Sequence, residues 1–196
     1  MKLTTMTAAL CVVALSAWSN EAHHGSGSTP YAGLQDREIK SLSESDIEDI
    51  TQGRGWGLAL PAELSGLPGP AHILELQEEL ELSPEQVTQV QTIFEEMQKE
   101  AIEAGAAFIE AERALSLAFK DAQLDQDTLA LLVQNAAEAR ARLRNVHLSR
   151  HLMTPAILTP DQIQKYAVLR GYQNDPCDAV PDGHDPKMWR KHNNCS

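Results

Sequence analysis

His147 and His151 stand four residues apart in a stretch of helical character, so both imidazoles project from one helix face. That geometry suits a first-row transition metal. Cys177 and Cys195 bracket a polar C-terminal stretch that also holds His184 and His192. A disulfide is the expectation for the cysteines in an oxidising compartment. The rival is a soft-metal site from all four residues, whose spacing matches none of the usual paired zinc motifs. A His23-His24 pair is a loose copper or nickel candidate, weighed against a plain flexible tail. The chain reads as a non-enzyme: it has no glycine-rich phosphate loop after a strand, no nucleophile in a recognisable setting and no His-Glu-x-x-His. Gly53-Arg54-Gly55-Trp56-Gly57 lacks a preceding strand and reads as a hinge between short helices.

The elements that must position the histidines follow from caps and periodicity. In Leu82-Ser83-Pro84-Glu85-Gln86, Ser83 is an N-cap, Pro84 takes the first helical position, and Gln86 bonds back to the cap. Apolar or alanine residues then recur at Val87, Val90, Phe94, Met97, Ala101, Ala104, Phe108, Ala111, Leu115 and Ala118, in steps of three and four. The spacing predicts a helix from 84 to about 120, roughly 55 Å long. Polar residues from Asp121 to Asp127 break it, and a return helix carries a seam at Leu129, Leu132, Ala136, Ala139, Leu143, Val146, Met153 and Ile157, interrupted at Arg150. Near Pro155 it should bend or stop. Leu158-Thr159-Pro160-Asp161-Gln162 repeats the capping device, with Thr159 and Gln162 in the roles of Ser83 and Gln86, and opens a helix that ends at Gly171. Upstream, Ser43 and Asp46 cap a short helix closed by Gly53 and Gly55. A second piece, Gly57 to Leu64, is interrupted by Pro61, and Pro70 starts a helix running to about Leu80.

Two long helices with a short connection imply an all-α fold, a long antiparallel helical hairpin with short flanking helices. Composition agrees: 25 Ala and 24 Leu far outnumber 8 Val and 9 Ile, and only 5% of residues are aromatic, a poor mixture for a sandwich or barrel.

The 196 residues carry 16 Lys and Arg against 28 Asp and Glu, a net charge of −12, which argues against nucleic acid as a partner. Mean hydropathy is −0.32, which excludes a polytopic membrane protein. Lys2, an apolar run from Met6 to Trp18, and small residues at Ala17 and Ser19 make 1–19 a cleaved secretory signal. Leu10 before Cys11 argues against lipidation. Residues 20–42 then form a flexible N-terminal arm, 43–67 a short helical segment, 68–171 the hairpin domain, and 172–196 a polar tail. The Cys177–Cys195 staple would contribute about 3 kcal/mol in the chain-entropy model.

Two Leu-(Ser/Thr)-x-x-Gln boxes around a helical hairpin in a secreted, acidic, Ala/Leu-rich chain resemble the LTxxQ family of periplasmic proteins, over about residues 68–171. That family includes the Spy and CpxP stress chaperones and the CnrX-type heavy-metal sensors. The resemblance implies a periplasmic homodimer with one of two functions. One is a heavy-metal sensor or resistance protein, holding a divalent transition metal (Zn, Ni, Co or Cu) and signalling to a membrane-bound sensor or anti-sigma partner. The other is an ATP-independent chaperone for unfolded client proteins. In metal-sensing relatives a His/Met pair on the return helix combines with a His before the first long helix and a Glu within it. Carried over, the ligand set is His72, Glu95 or Glu96, His147 and His151.

A plainer account stands beside it. His147 and His151 lie one step off the apolar seam, near Arg140, Arg142, Arg144 and Arg150, where they would be partly solvated. Residues 75–112 hold eleven acids and one base, Lys99, so the two long helices carry opposite charge and can attract one another.

Overall fold

A computed structural model describes residues 30–120, 122–193 and 195, and the expected signal segment 1–19, with Cys11, and the His23-His24 pair lie outside the described residues. The chain divides at Gln35/Asp36. Of the first unit only a turn is described, closed by the Tyr31 carbonyl accepting from the Leu34 N–H at 3.0 Å. It leads into a 3-10 turn, Leu34–Asp36.

Among the described residues the second unit is all-helical, with no strand. Its α-helices are α1 (Glu44–Thr51), α2 (Leu60–Glu63), α3 (Pro70–Glu75), α4 (Pro84–Ala118), α5 (Gln126–Met153), α6 (Pro160–Leu169) and α7 (Pro186–His192). The expected long helices are present as α4 and α5, and Asp125 caps α5 by accepting from the Thr128 N–H at 2.7 Å. α5 gives way before Pro155 to a 3-10 turn, Thr154–Ile157.

The two long helices pack along each other. Ala101, Phe108 and Ile109 of α4 share an apolar cluster with Ala139 and Leu143 of α5, and with Ile39, Leu42, Ile50 and Leu58 from the segment before α2. α1 crosses α4 at Gly105, where a Cβ would lie 2.6 Å from Ile50 Cγ2 and 2.9 Å from the Ile50 carbonyl oxygen. Glycine costs a helix interior about 1 kcal/mol relative to alanine, and close approach of α1 is what it provides. A second cluster, Ile73, Leu80, Val90, Leu158 and Tyr166, gathers around the first turns of α4 and α6.

Both boxes form capping boxes, with Ser83 and Thr159 accepting from the N–H groups of Gln86 and Gln162 at 3.2 Å each. The same two glutamines also meet. Gln86 Nε2 donates to Gln162 Oε1 at 2.8 Å, and Gln162 Nε2 donates to Gln86 Oε1 at 3.1 Å. Their second amide protons go to the carbonyls of Ile157 (2.9 Å) and Leu80 (3.2 Å). The two helix starts are thus clasped together.

Three local expectations change. Residues 20–42 are not all free arm, since Ile39 and Leu42 are buried in the first cluster. Pro61 does not interrupt a helix but sits in the first turn of α2, where its missing N–H has no helical partner to lose. α3 stops at Glu75 rather than Leu80, and the intervening residues are hydrogen-bonded turns.

Candidate metal centre

The short segment between α2 and α3 folds back against α5 and brings an acid and a histidine with it. Glu63, the last residue of α2, is 5% exposed although charged. Its Oε1 accepts from the Tyr166 hydroxyl, from the Tyr172 hydroxyl at 3.0 Å and from His72 Nδ1 at 3.2 Å, with Arg170 Nε at 3.6 Å. Burial alone pushes this carboxyl up, but the hydrogen bonds from His72, Tyr166 and Tyr172 outweigh it and hold the pKa at about 2. Glu63 is therefore a carboxylate, and Tyr166, raised by burial and by that carboxylate, keeps its proton and donates. Glu63 Oε2 is buried without a hydrogen-bond partner.

His72, on α3, has partners at both ring nitrogens, since Arg170 approaches its Nε2 at 3.4 Å. His151, buried on α5, places Nδ1 2.6 Å from the Leu67 carbonyl oxygen and 3.7 Å from Glu63 Oε2. A carbonyl only accepts, so the tautomer assigned from this contact carries its proton on Nδ1 and its lone pair on Nε2. That is the outer-shell arrangement that orients metal-binding imidazoles. Gly69 makes room for the ring, because a Cβ there would stand 2.6 Å from both Cε1 and Nε2 of His151.

His147, one turn earlier on α5, is 2% exposed and its Nε2 has no partner. Burial, and then the neighbouring His151, lower its pKa to about 4, so the imidazole is neutral at pH 7. All three histidines line one cavity of about 320 Å³, together with Glu63, Met97 and the apolar walls of Trp56, Leu60 and Pro70.

Glu95 and Glu96 are not brought to this cavity. Both are exposed, and Glu95 accepts from the Gln91 amide one turn away at 2.9 Å. At 100° per residue only Met97 of that turn lies on the buried stripe with Val90, Ile93 and Ala101. The helix seam that includes Met97 was the available signal for its role. Glu63 had none, because its segment has no periodicity. His147 and His151 are buried rather than partly solvated, and Arg150, next to His151 in the chain, pairs with Glu100 of α4 at 2.7 Å. Among the described residues, no three His, Cys, Asp and Glu side chains are grouped to hold a metal ion.

In the tail the cysteine sulfurs lie 2.08 Å apart, a disulfide that uses both thiolates the soft-metal alternative required. Trp189 Nε1 donates to the Pro176 carbonyl at 2.7 Å and His184 packs edge-on against the Trp189 ring, so the stapled segment also packs on itself. Among the described residues, no helix is long and apolar enough to cross a membrane. No family model, no curated protein and no solved structure matches the chain.

Proposed function

We propose that the chain is a periplasmic metal-binding protein of the sensor or resistance type, with a transition-metal site in the His72/His147/His151 cavity and no catalytic role. The observation that carries this reading is His147 Nε2, a neutral, buried nitrogen with no hydrogen-bond partner, in a cavity shared with His151 and Met97. A buried polar atom left unmade costs about 1–3 kcal/mol, which a ligand would offset. His151 is held in the tautomer that ligation needs. The Leu67 carbonyl orients that ring, and Glu63 Oε2, 3.7 Å from its Nδ1, is a buried carboxylate oxygen with no hydrogen-bond partner.

In this reading α4 and α5 form the antiparallel hairpin of the LTxxQ type, and the chain pairs as a homodimer. The cavity is lined from the α2–α3 segment, α4 and α5, so occupancy would tie the short helices to the long ones. Such a link is what a sensor would present to a membrane-bound or anti-sigma partner.

Isothermal titration of the full chain with zinc, nickel, cobalt and copper, repeated on His147→Ala/His151→Ala, tests the site. Binding at micromolar level or tighter, lost in the double variant, is expected, on the order of 8 kcal/mol. Absence of any binding tighter than about millimolar, roughly 4 kcal/mol, would sink it.

A second reading, an ATP-independent chaperone, is favoured by one observation. Leu117 and Phe119 at the end of α4, and Leu131 and Val133 in α5, are each at least half exposed. Suppression of client aggregation without nucleotide, weakened in Leu117→Ser/Phe119→Ser and unchanged in the double-histidine variant, would establish that activity separately.

A further inference from the structure

We infer that an open stretch of the valley between α4 and α5 is a docking groove for an acidic, apolar segment of another protein. The inference is independent of the metal-binding reading and concerns a different part of the molecule. Along one stretch the chain itself fills the valley. Ile39 and Leu42 cluster there with Phe108 and Ile109 of α4 and with Ala139 and Leu143 of α5. The polar rim of that covered stretch is matched. Glu38 Oε1 accepts from Arg113 Nε at 2.8 Å, the Ser41 hydroxyl donates to Glu112 at 2.6 Å, and the Lys40 N–H donates to the Ser116 hydroxyl at 3.2 Å. What the valley already holds is a polypeptide segment with apolar side chains inward and a carboxylate set against a rim arginine.

A neighbouring groove is lined by α4 and α5 alone and has no such cover. Its apolar lining comes from Leu115 of α4 and from Val133, Ala136, Ala137 and Ala141 of α5, and Val133 is 50% exposed. Two cations, Arg140 and Arg144, complete the α5 side. Arg54, Arg113, Arg150 and Arg170 all lie within ion-pair distance of a carboxylate. Among the described residues Arg140 and Arg144 have no carboxylate partner, in a chain with 28 acids. Arg140 lies over the Trp56 ring at 5.5 Å, a contact that uses the face of its guanidinium and leaves the N–H edge for an acceptor. The two arginines stand one helical turn apart, and like charges at that spacing destabilise a helix, a repulsion that a carboxylate between them would offset. Glu112, the acid in the lining, is already held by Ser41. Planar guanidinium forks match carboxylates, so the groove asks for the same chemistry that Glu38, Ile39 and Leu42 supply in the covered stretch.

The test is fluorescence anisotropy of the full chain with a short fluorescein-labelled peptide of Leu, Ala and Glu, beside its Gln-for-Glu counterpart, with co-sedimentation on phosphatidylglycerol vesicles as a third arm. The net charge of −12 repels an acidic ligand at long range, so a preference for Glu over Gln has to come from local cations. The acidic peptide should bind roughly tenfold or more tightly than the Gln peptide. Arg144→Glu changes an exposed side chain and should weaken the acidic peptide roughly tenfold. Arg142→Glu makes the same charge change on α5 outside the groove and should leave the affinity within about threefold. Ala137→Gln, an exposed change that a helix tolerates, fills the groove and should weaken both peptides. No binding of the acidic peptide, equal binding of the Glu and Gln peptides, or equal losses in Arg142→Glu and Arg144→Glu would each overturn the inference. Binding to the vesicles without binding to the peptide would overturn it as well, by assigning the arginines to a lipid surface. None of these outcomes changes the result expected of the metal titration.

Discussion

In the glutamine clasp joining α4 and α6, each side-chain amide is fully used: each oxygen accepts twice and each nitrogen donates twice. Around the cavity on α5 the outcome differs, with Glu63 Oε2 and His147 Nε2 buried and without hydrogen-bond partners. Both regions are polar groups set against an apolar core, and the same desolvation cost applies to each. The difference separates two uses of buried polarity. A closed network rigidifies and specifies a fold, whereas one with open positions keeps capacity for something else.

Breaking the closed network should have the largest effect. Gln86→Leu removes three hydrogen bonds that cross to Gln162 and Ile157, and the capping bond from the Ser83 N–H, leaving the Gln162 amide and the Ile157 carbonyl short of partners. Urea unfolding should show a loss of about 3 kcal/mol, with metal affinity unchanged in the folded fraction. A loss below about 0.5 kcal/mol would mean the clasp is not a stabilising unit.

Glu63→Gln comes next. It replaces a carboxylate that accepts charge-assisted and phenolic hydrogen bonds, so a loss of about 2 kcal/mol at neutral pH is expected. Because folding lowers this carboxyl from 4.5 to about 2, its stabilisation is present above pH 4.5 and disappears as pH falls toward 2. Wild type should therefore lose stability across that window more steeply than Glu63→Gln, and parallel curves would contradict the assignment. Gly69→Ala forces a methyl toward His151, 2.6 Å from ring atoms, and should cost about 1–2 kcal/mol together with a measurable fall in metal affinity. Wild-type affinity in this variant would show that His151 orientation is immaterial.

The smallest predicted change has the opposite sign. His147→Leu removes an atom that has no hydrogen-bond partner and replaces it with carbon, so the apo protein should gain about 1 kcal/mol. Few buried-site substitutions are expected to stabilise, which makes the sign informative.

The parts legible in the sequence were those fixed by near neighbours. Ser83 with Gln86 and Thr159 with Gln162 are three apart, and both caps form where the spacing places them. That the two glutamines also bind one another, across 76 residues, is a tertiary fact that neither box encodes alone. The seam through Val90, Met97 and Ala101 located the buried stripe of α4, and the same geometry turned Glu95 and Glu96 outward. By seam position alone His147 and His151 stand at the edge of the α5 stripe. Both are buried, His151 under Leu67 and Gly69, and no periodicity within α5 reports that cover. Glu63 was invisible for the same reason, its partners Tyr166 and Tyr172 lying more than a hundred residues away.

The most direct test of the account is equilibrium urea unfolding of His147→Leu beside the wild type, in chelator, in copper and in zinc. In chelator the variant should be the more stable by about 1 kcal/mol. In a hundredfold excess over the dissociation constant of at least one of the two ions, the wild type should gain about 2.7 kcal/mol while the variant gains nothing. A variant less stable than wild type in chelator, or stabilised by metal to the same degree, would contradict the claim that His147 is held open for a metal.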